Sequence, residues 1–372
     1  MVLKPLHYKE DIMNYLTIII LVFSVLGALD RIVGNRFGLG KEFEKAFMLL
    51  GSMALSMIGM IVISPFIAEL MKPLSEFLFN YLHIDPSIIP ASLFANDLGG
   101  AALSVEMAMN DKLGLYNALV VSSMMGCTIS FTIPFALGVV DKSQHEELLL
   151  GLLCGIATIP FGCIVSGVFC KIPFVSLLLV LMPLVIFSAI VVFGLICFPE
   201  FCVKAFRVFG TFITALITIG LGLGIIRFLT GYEVIKGLAT IEEGASIAVN
   251  AAIVLSGSFP LMFVLAKVLS KPLKVVAKKI GVNEYSVVGI ISCLASSTTS
   301  FGMMDKMDKK GTVLNSAFAV SGAFVIGTHL AFTMAFNSEY VIPVIIGKTI
   351  SGILAILLGN AIFNKTNKAD PN

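Results

Sequence analysis

Two apolar stretches of this chain are interrupted at their middle, and those interruptions constrain its fold more than any other feature. The first is FANDLGG, Phe94 to Gly100, set between the arms IDPSIIPASL and AALSVEMAM. Each arm is about ten residues, or ~15 Å of helix, which is half a bilayer's hydrocarbon core. Asp97 stands in surroundings that otherwise read as membrane interior, where a carboxylate is costly and usually marks a pathway or binding site. Gly99 and Gly100 allow the tight backbone required by a re-entrant hairpin or a helix broken at mid-depth. Such backbone is tolerated at that depth only inside protein or beside a watery cavity.

The second interruption is SCLASSTTSFGMM, Ser292 to Met304, a small-polar tip between the arms YSVVGII and FGMMDKM. A KPL triplet precedes both tips: Asp97 follows Pro73 by 24 residues, and Ser296 follows Pro272 by 24. A long apolar segment with an Asn near its start follows each, at Asn117 and Asn315. Interrupted segments at matching places in two halves point to a transporter site at the interface of inverted repeats.

The rest of the chain supports a membrane reading. It is 58% hydrophobic and 13% charged, with a mean hydropathy of +1.00, beyond any ordinary soluble domain. A formal net charge of +2 with no long basic tract excludes a nucleic-acid partner. The seven cysteines form no CxxC pair, so they read as small apolar residues and not as ligands or disulfides. The first apolar segment ends at Asp30-Arg31 without a small-residue cleavage site, which suggests a retained span. No GxSxG, HExxH, P-loop or paired Cys/His spacing supports enzyme chemistry, and no cofactor is called for.

Hydropathy predicts an all-α polytopic membrane protein with about nine crossings, near 12–34, 46–70, 115–140, 147–170, 173–198, 203–229, 245–270, 312–337 and 340–363, plus the two interrupted segments. Residues 1–170 form a first repeat with a hairpin at 84–112, and 171–202 a connecting helix. Residues 203–372 form a second repeat with a hairpin at 284–306. The single connecting helix inverts the second half, so the two tips enter from opposite faces. If both segments re-enter, the basic loops around Lys271 to Lys279 and Lys306 to Lys310 share one side, which is cytoplasmic by the positive-inside tendency.

Each candidate residue also has a plainer reading. Asp97 is an anionic partner for a cation, or the N-cap of the second hairpin arm. Asn96 is a contact, or holds the turn. Glu106, nine residues on, is a second acid of the pathway or reaches the interface. Ser296, Ser297, Thr298, Thr299 and Ser300 present hydroxyls to a polar ligand, or satisfy freed backbone groups at the tip. Thr128 in one half, and Ser321 with Thr328 on one helix face in the other, line a site or pack helices. His329 is functional or a bonded core residue, and Lys348 lies too deep to snorkel and needs an acidic partner.

These residues together resemble one known family, the ethanolamine permeases of ethanolamine-utilization operons (EutH). The likeness runs from LDRI at Leu29 to IIGKTISGI, nearly the whole chain, through GSMALSMIGM, the Asp97-Leu98-Gly99-Gly100 tip, SSMMG, ATIPFGC, ALITIGL, FGMMDKMDKKG, LNSAFAVSGAF and GTHLAF. The chain departs from it at Ser296-Ser297, where members tend to have Asn-Asn, and at Thr328, where they tend to have an acid. The resemblance implies a multi-pass carrier in the bacterial inner membrane that supplies ethanolamine to cobalamin-dependent ammonia-lyase catabolism. Its partners would be that small molecule and the lipid bilayer, with a homo-oligomer left open. Ethanolamine needs an acid or aromatic face for its ammonium and hydroxyl or amide groups for its OH. Asp97, Asn96, the Ser/Thr tip and Phe94, Phe131 or Phe301 supply those. Rival readings are a carrier of choline or an amino acid and, from another class, a channel or intramembrane enzyme.

Overall fold

The computed structural model describes residues 11–369; the basic stretch expected as a loop lies within the helix Ile241–Ile280, and its side chains at Lys271, Lys274 and Lys278 lie outside the described residues. Every regular element among the described residues is helical, as expected where backbone groups must find partners inside their own segment. Eight helical segments are long and apolar enough to cross a membrane. They are Tyr15–Ile32, Leu39–Leu70, Asp111–Val139, Lys142–Phe169, Phe174–Cys197, Pro199–Thr230, Ile241–Val268 and Ser338–Lys365. The most enclosed is Asp111–Val139, with 78% of its apolar window buried, so it is the central element.

The long helix Ile241–Ile280 packs on Asp11–Ile32, on Leu39–Met48 and Leu50–Leu70, and on Thr328–Phe336. Pro199–Thr230 also lies on Leu50–Leu70. His145–Phe169 packs on Val341–Ala369 and on Lys309–Ser321. Small residues make these crossings close. A Cβ on Gly220 would meet the Gly59 carbonyl, and one on Gly347 would meet Ser166 Oγ.

Both interrupted segments double back on themselves. In the first, the arms Ile88–Leu93 and Gly100–Met107 pack together. Its ends are tied by Asp85, whose Oδ2 accepts from the backbone N–H of Met109 (3.2 Å) and Asn110 (3.0 Å). Asp85 Oδ1 accepts from Ser87 Oγ at 2.5 Å, and Asn117 Nδ2 donates to Ser87 Oγ at 2.8 Å. In the second, Glu284–Ala295 is followed by Ser297–Phe301, and Asp308 closes the base. Its Oδ1 accepts from Asn283 N (3.0 Å) and Ser286 Oγ (2.8 Å), while Asn283 Nδ2 donates to Lys306 O at 2.8 Å. Asn315 Nδ2 then donates to Ser286 O at 2.8 Å. The two Asn residues that follow the tips therefore fasten the base of each hairpin to the next helix.

Two segments differ from the sequence expectation. The eighth expected crossing, 312–337, is not one helix: it splits into Lys309–Ser321 and Thr328–Phe336, joined by non-helical residues 322–327 with Phe324 at φ 61°. Ser321 and Thr328 consequently share no helix face. Ser321 Oγ instead bonds Ser351 Oγ at 2.7 Å. The physical reason is a competing set of partners: Phe324 N and Ile326 N donate to Cys293 O (3.0 Å) and Leu294 O (2.9 Å) in the second hairpin. The crossing expected at 115–140 is one segment, but Asn117–Gly126 and Thr128–Thr132 are wound as π-helix. Such winding is rare and concentrates at functional sites.

The closed bases predict sidedness. On a background without the exposed Cys197, single cysteines replacing Tyr81 and Lys112 should react with a membrane-impermeant thiol reagent from one common face. Cysteines replacing Lys279 and Lys309 should likewise share a face. Either pair reacting from opposite faces would mean that the interrupted segments cross the bilayer.

Candidate functional site

The tip of the first hairpin is pressed onto the π-wound segment. Gly99, at φ 96°, lies against Met60, so a Cβ there would strike the Met60 side chain, besides being strained in that conformation. A Cβ added on Gly100 or on Gly126 would strike the Phe94 carbonyl, and Ser122 Oγ donates to that carbonyl at 2.6 Å. Ala95 N donates to Ser130 Oγ at 3.0 Å, and Ser130 Oγ to Gly126 O at 2.8 Å. The freed backbone of the tip is thus satisfied by small polar side chains of the neighbouring span.

Three residues of the candidate site meet there. The Thr328 side chain lies beside the Asp97 carboxylate, and His329 Nε2 lies 3.9 Å from Asp97 Oδ1. The second arm begins at Gly100 with Gly99 as N-cap and no side-chain cap bond, so Asp97 does not act as the cap. Its side chain keeps 18% of its surface exposed, against 2% for His329, so of the two it is the one a solute can reach. Asn96 beside it is fully buried, and neither its Oδ1 nor its Nδ2 has a partner. His329 Nδ1 is also buried and unpartnered. Buried polar atoms are normally hydrogen-bonded, so unpartnered ones beside a carboxylate mark a place for a polar ligand.

The other candidates fall elsewhere. Glu106 is exposed and lines a surface cleft with Glu69, Lys72 and Lys236, apart from the Asp97 cluster. Its position nine residues along places it at the mouth end of the arm. Thr128 Oγ1 donates to Met124 O (2.7 Å) and Val320 O (3.0 Å), which ties the π-wound segment to the broken helix. Of the hydroxyl run, Ser296 and Thr298 bond each other at 2.6 Å and Ser300 donates to Asn315 Oδ1 at 3.0 Å. Ser297 Oγ is buried without a partner, and Thr299 is exposed. This second tip reaches the Asp97 cluster through residues 322–328, bonded to the second hairpin at one end and lying beside Asp97 at the other. Aromatic rings make the same connection, Phe301 to Phe135 to Phe131 to Phe324 to His329, with successive centroids 6.2, 5.3, 5.7 and 5.0 Å apart. Phe94 packs instead on Phe209.

Sequence reasoning missed the Ser123 carbonyl. Lys348, 1% exposed, donates to it at 2.6 Å, and the His329 ring lies nearby. Lys348 takes no direct carboxylate contact but lies within the electrostatic reach of Asp97. A main-chain acceptor carries no residue-type signal, and only the π winding places it there.

The sequence matches the family described as "Ethanolamine utilisation protein, EutH" over residues 12–362. The chain belongs to the EutH family. A protein of Listeria monocytogenes named "Probable ethanolamine permease EutH" is 41% identical over 97% of this chain and 96% of its own length. Proteins of the same name from Salmonella typhimurium and Escherichia coli are 36% identical, covering 94% and 91% of this chain and 95% and 92% of their own. No solved structure matches. With eight apolar spans, this EutH-family chain is a multi-pass bacterial membrane protein.

The Asn96 amide offers a test of site against scaffold. An unsatisfied buried polar group costs roughly 1–3 kcal/mol, so Asn96→Leu, similar in size and apolar, should leave the melting temperature in detergent unchanged or raise it. It should at the same time weaken ligand binding by about tenfold or more. A fall in melting temperature with intact binding would make Asn96 a structural residue.

Proposed function

We propose that the chain is a membrane carrier for ethanolamine, not an enzyme, and that it binds the substrate as its ammonium at Asp97. The observation that carries this is the pairing of a partly exposed carboxylate with the unpartnered Asn96 amide beside it. Ethanolamine is an ammonium and a hydroxyl two carbons apart: the carboxylate takes the first, and the amide, able to donate and accept, takes the second. The names of the relatives support the same substrate. The Phe131 and Phe324 rings near His329 would face the methylenes.

Transport by alternating access between two inverted halves, residues 1–170 and 203–372 joined by 171–202, is part of the proposal. It is supported by the matched closures of the hairpins, Asp85 with Asn117 and Asp308 with Asn315. In this reading the broken helix around 322–327 relays occupancy of one tip to the other, and the basic loops face the cytoplasm.

Asp97→Asn is the deciding variant. The carboxylate makes no cap bond, so removing its charge while keeping its size should change the melting temperature little. A buried charge-assisted contact contributes roughly 1.5–3 kcal/mol, so ethanolamine affinity should fall by about ten- to a hundredfold. Calorimetry on purified protein, with choline as competitor, reads both affinity and selectivity: choline has no N–H donor for the carboxylate and should compete poorly. Unchanged affinity in a well-folded Asp97→Asn protein would remove Asp97 as the cation site.

A further inference from the structure

Lys348 is a buried ammonium that the site described so far does not use. Its Nζ donates to Ser123 O, the His329 ring lies near the same carbonyl, and Lys348 is 1% exposed. The titratable groups acting on it are Asp97 of the first hairpin, Cys127 of the π-wound span, Cys163 of His145–Phe169, Cys293 of the second hairpin and His329. The three thiols are buried and neutral thiols carry no compensating charge, so the Asp97 carboxylate is the group of this set that can offset a charged ammonium. With Asp97 ionised and Lys348 protonated, the empty site holds one negative and one positive charge.

An arriving ammonium upsets that balance. It pairs with Asp97 and leaves the pocket with a net positive charge in a medium where uncompensated charge is very costly. Lysine can relieve this by losing its proton, which arginine cannot. Resting on the reading of Asp97 as the ammonium site, we propose that binding of one ethanolammonium at Asp97 expels one proton from Lys348.

The step balances. The substrate keeps its N–H bonds, one Nζ–H bond of Lys348 breaks and leaves its electron pair on Nζ, and the proton passes to bulk buffer. Net site charge is zero before and after, so the carrier crosses the membrane with the same charge empty or loaded. Uptake then amounts to transfer of the uncharged base, and it answers to the pH difference and not to the membrane potential.

The test measures proton release when ethanolamine is added to purified, detergent-solubilised protein in weak buffer with a pH indicator, alongside calorimetric affinity. Wild type should release close to one proton per ethanolamine bound, beyond the ligand's own buffering. Lys348→Met should bind with equal or higher affinity and release none. Lys348→Arg, which keeps the charge, should release none and bind at least tenfold more weakly; melting temperatures of both variants identify any that fails to fold. Binding by wild type without proton release overturns the proposal and leaves Asp97 as the cation site. Release that persists in either folded Lys348 variant also overturns it, because the proton then comes from Asp97 or His329. Absence of ethanolamine binding by wild type overturns this proposal and the substrate assignment together.

Discussion

The arrangement depends on closing two helical hairpins at their open ends. Each arm is too short to cross a bilayer, and each leaves a turn of polar backbone at its tip. What fixes those tips is the carboxylate at each base: Asp85 takes the N–H groups of Met109 and Asn110, and Asp308 takes Asn283 N and Ser286 Oγ. Hydrogen bonds to a charged group are roughly twice as strong as neutral ones, so the closures are the stiffest polar points of each hairpin. Asn117 and Asn315 carry that stiffness into the following helices. Only with its base fixed can the Phe94–Gly100 turn be pressed against Ser122 and Ser130, and only then is Asp97 aimed at Thr328.

Much of this was legible in the sequence because membrane physics leaves few options. A carboxylate between two half-length apolar arms had to sit in a turn lined by protein. The KPL triplets and the Asn residues after each tip marked the corresponding places in the two halves. Asn96, Asp97, Thr328 and His329 were all read as candidates, and the structure brings them to one place. The base carboxylates were not recognised, since Asp85 and Asp308 look like ordinary interfacial acids beside a Pro and a Lys-Lys pair.

What was not legible shares one cause, which is that apolar periodicity cannot report how a backbone is wound. GAFVIG, residues 322–327, reads as continuous span, yet its N–H groups turn to Cys293 and Leu294 of another segment. Gly327 permits this by lying against the Ala295 carbonyl, where a Cβ would not fit. The π winding of 117–132 is similarly silent, and it positions Ser123 O for Lys348. Glu106 misled for the opposite reason: residue type suggested a second acid, but the arm carries it out to the exposed end.

The two tips are therefore alike in construction and unlike in chemistry. The second tip occupies most of its hydroxyls within its own hairpin and base, through Ser296 with Thr298 and Ser300 with Asn315. The first tip leaves a carboxylate and an amide available for something else. In the proposed carrier, binding chemistry sits on one hairpin and the other, reached through residues 322–328, senses it. In that carrier, a ligand that parts Thr328 from Asp97 would move the segment whose other end is hydrogen-bonded to Cys293 and Leu294, because packed interiors shift between discrete arrangements and do not deform continuously. Tips with matched ligand groups would bind as well, but they would lack this directed link between occupancy on one side and opening on the other.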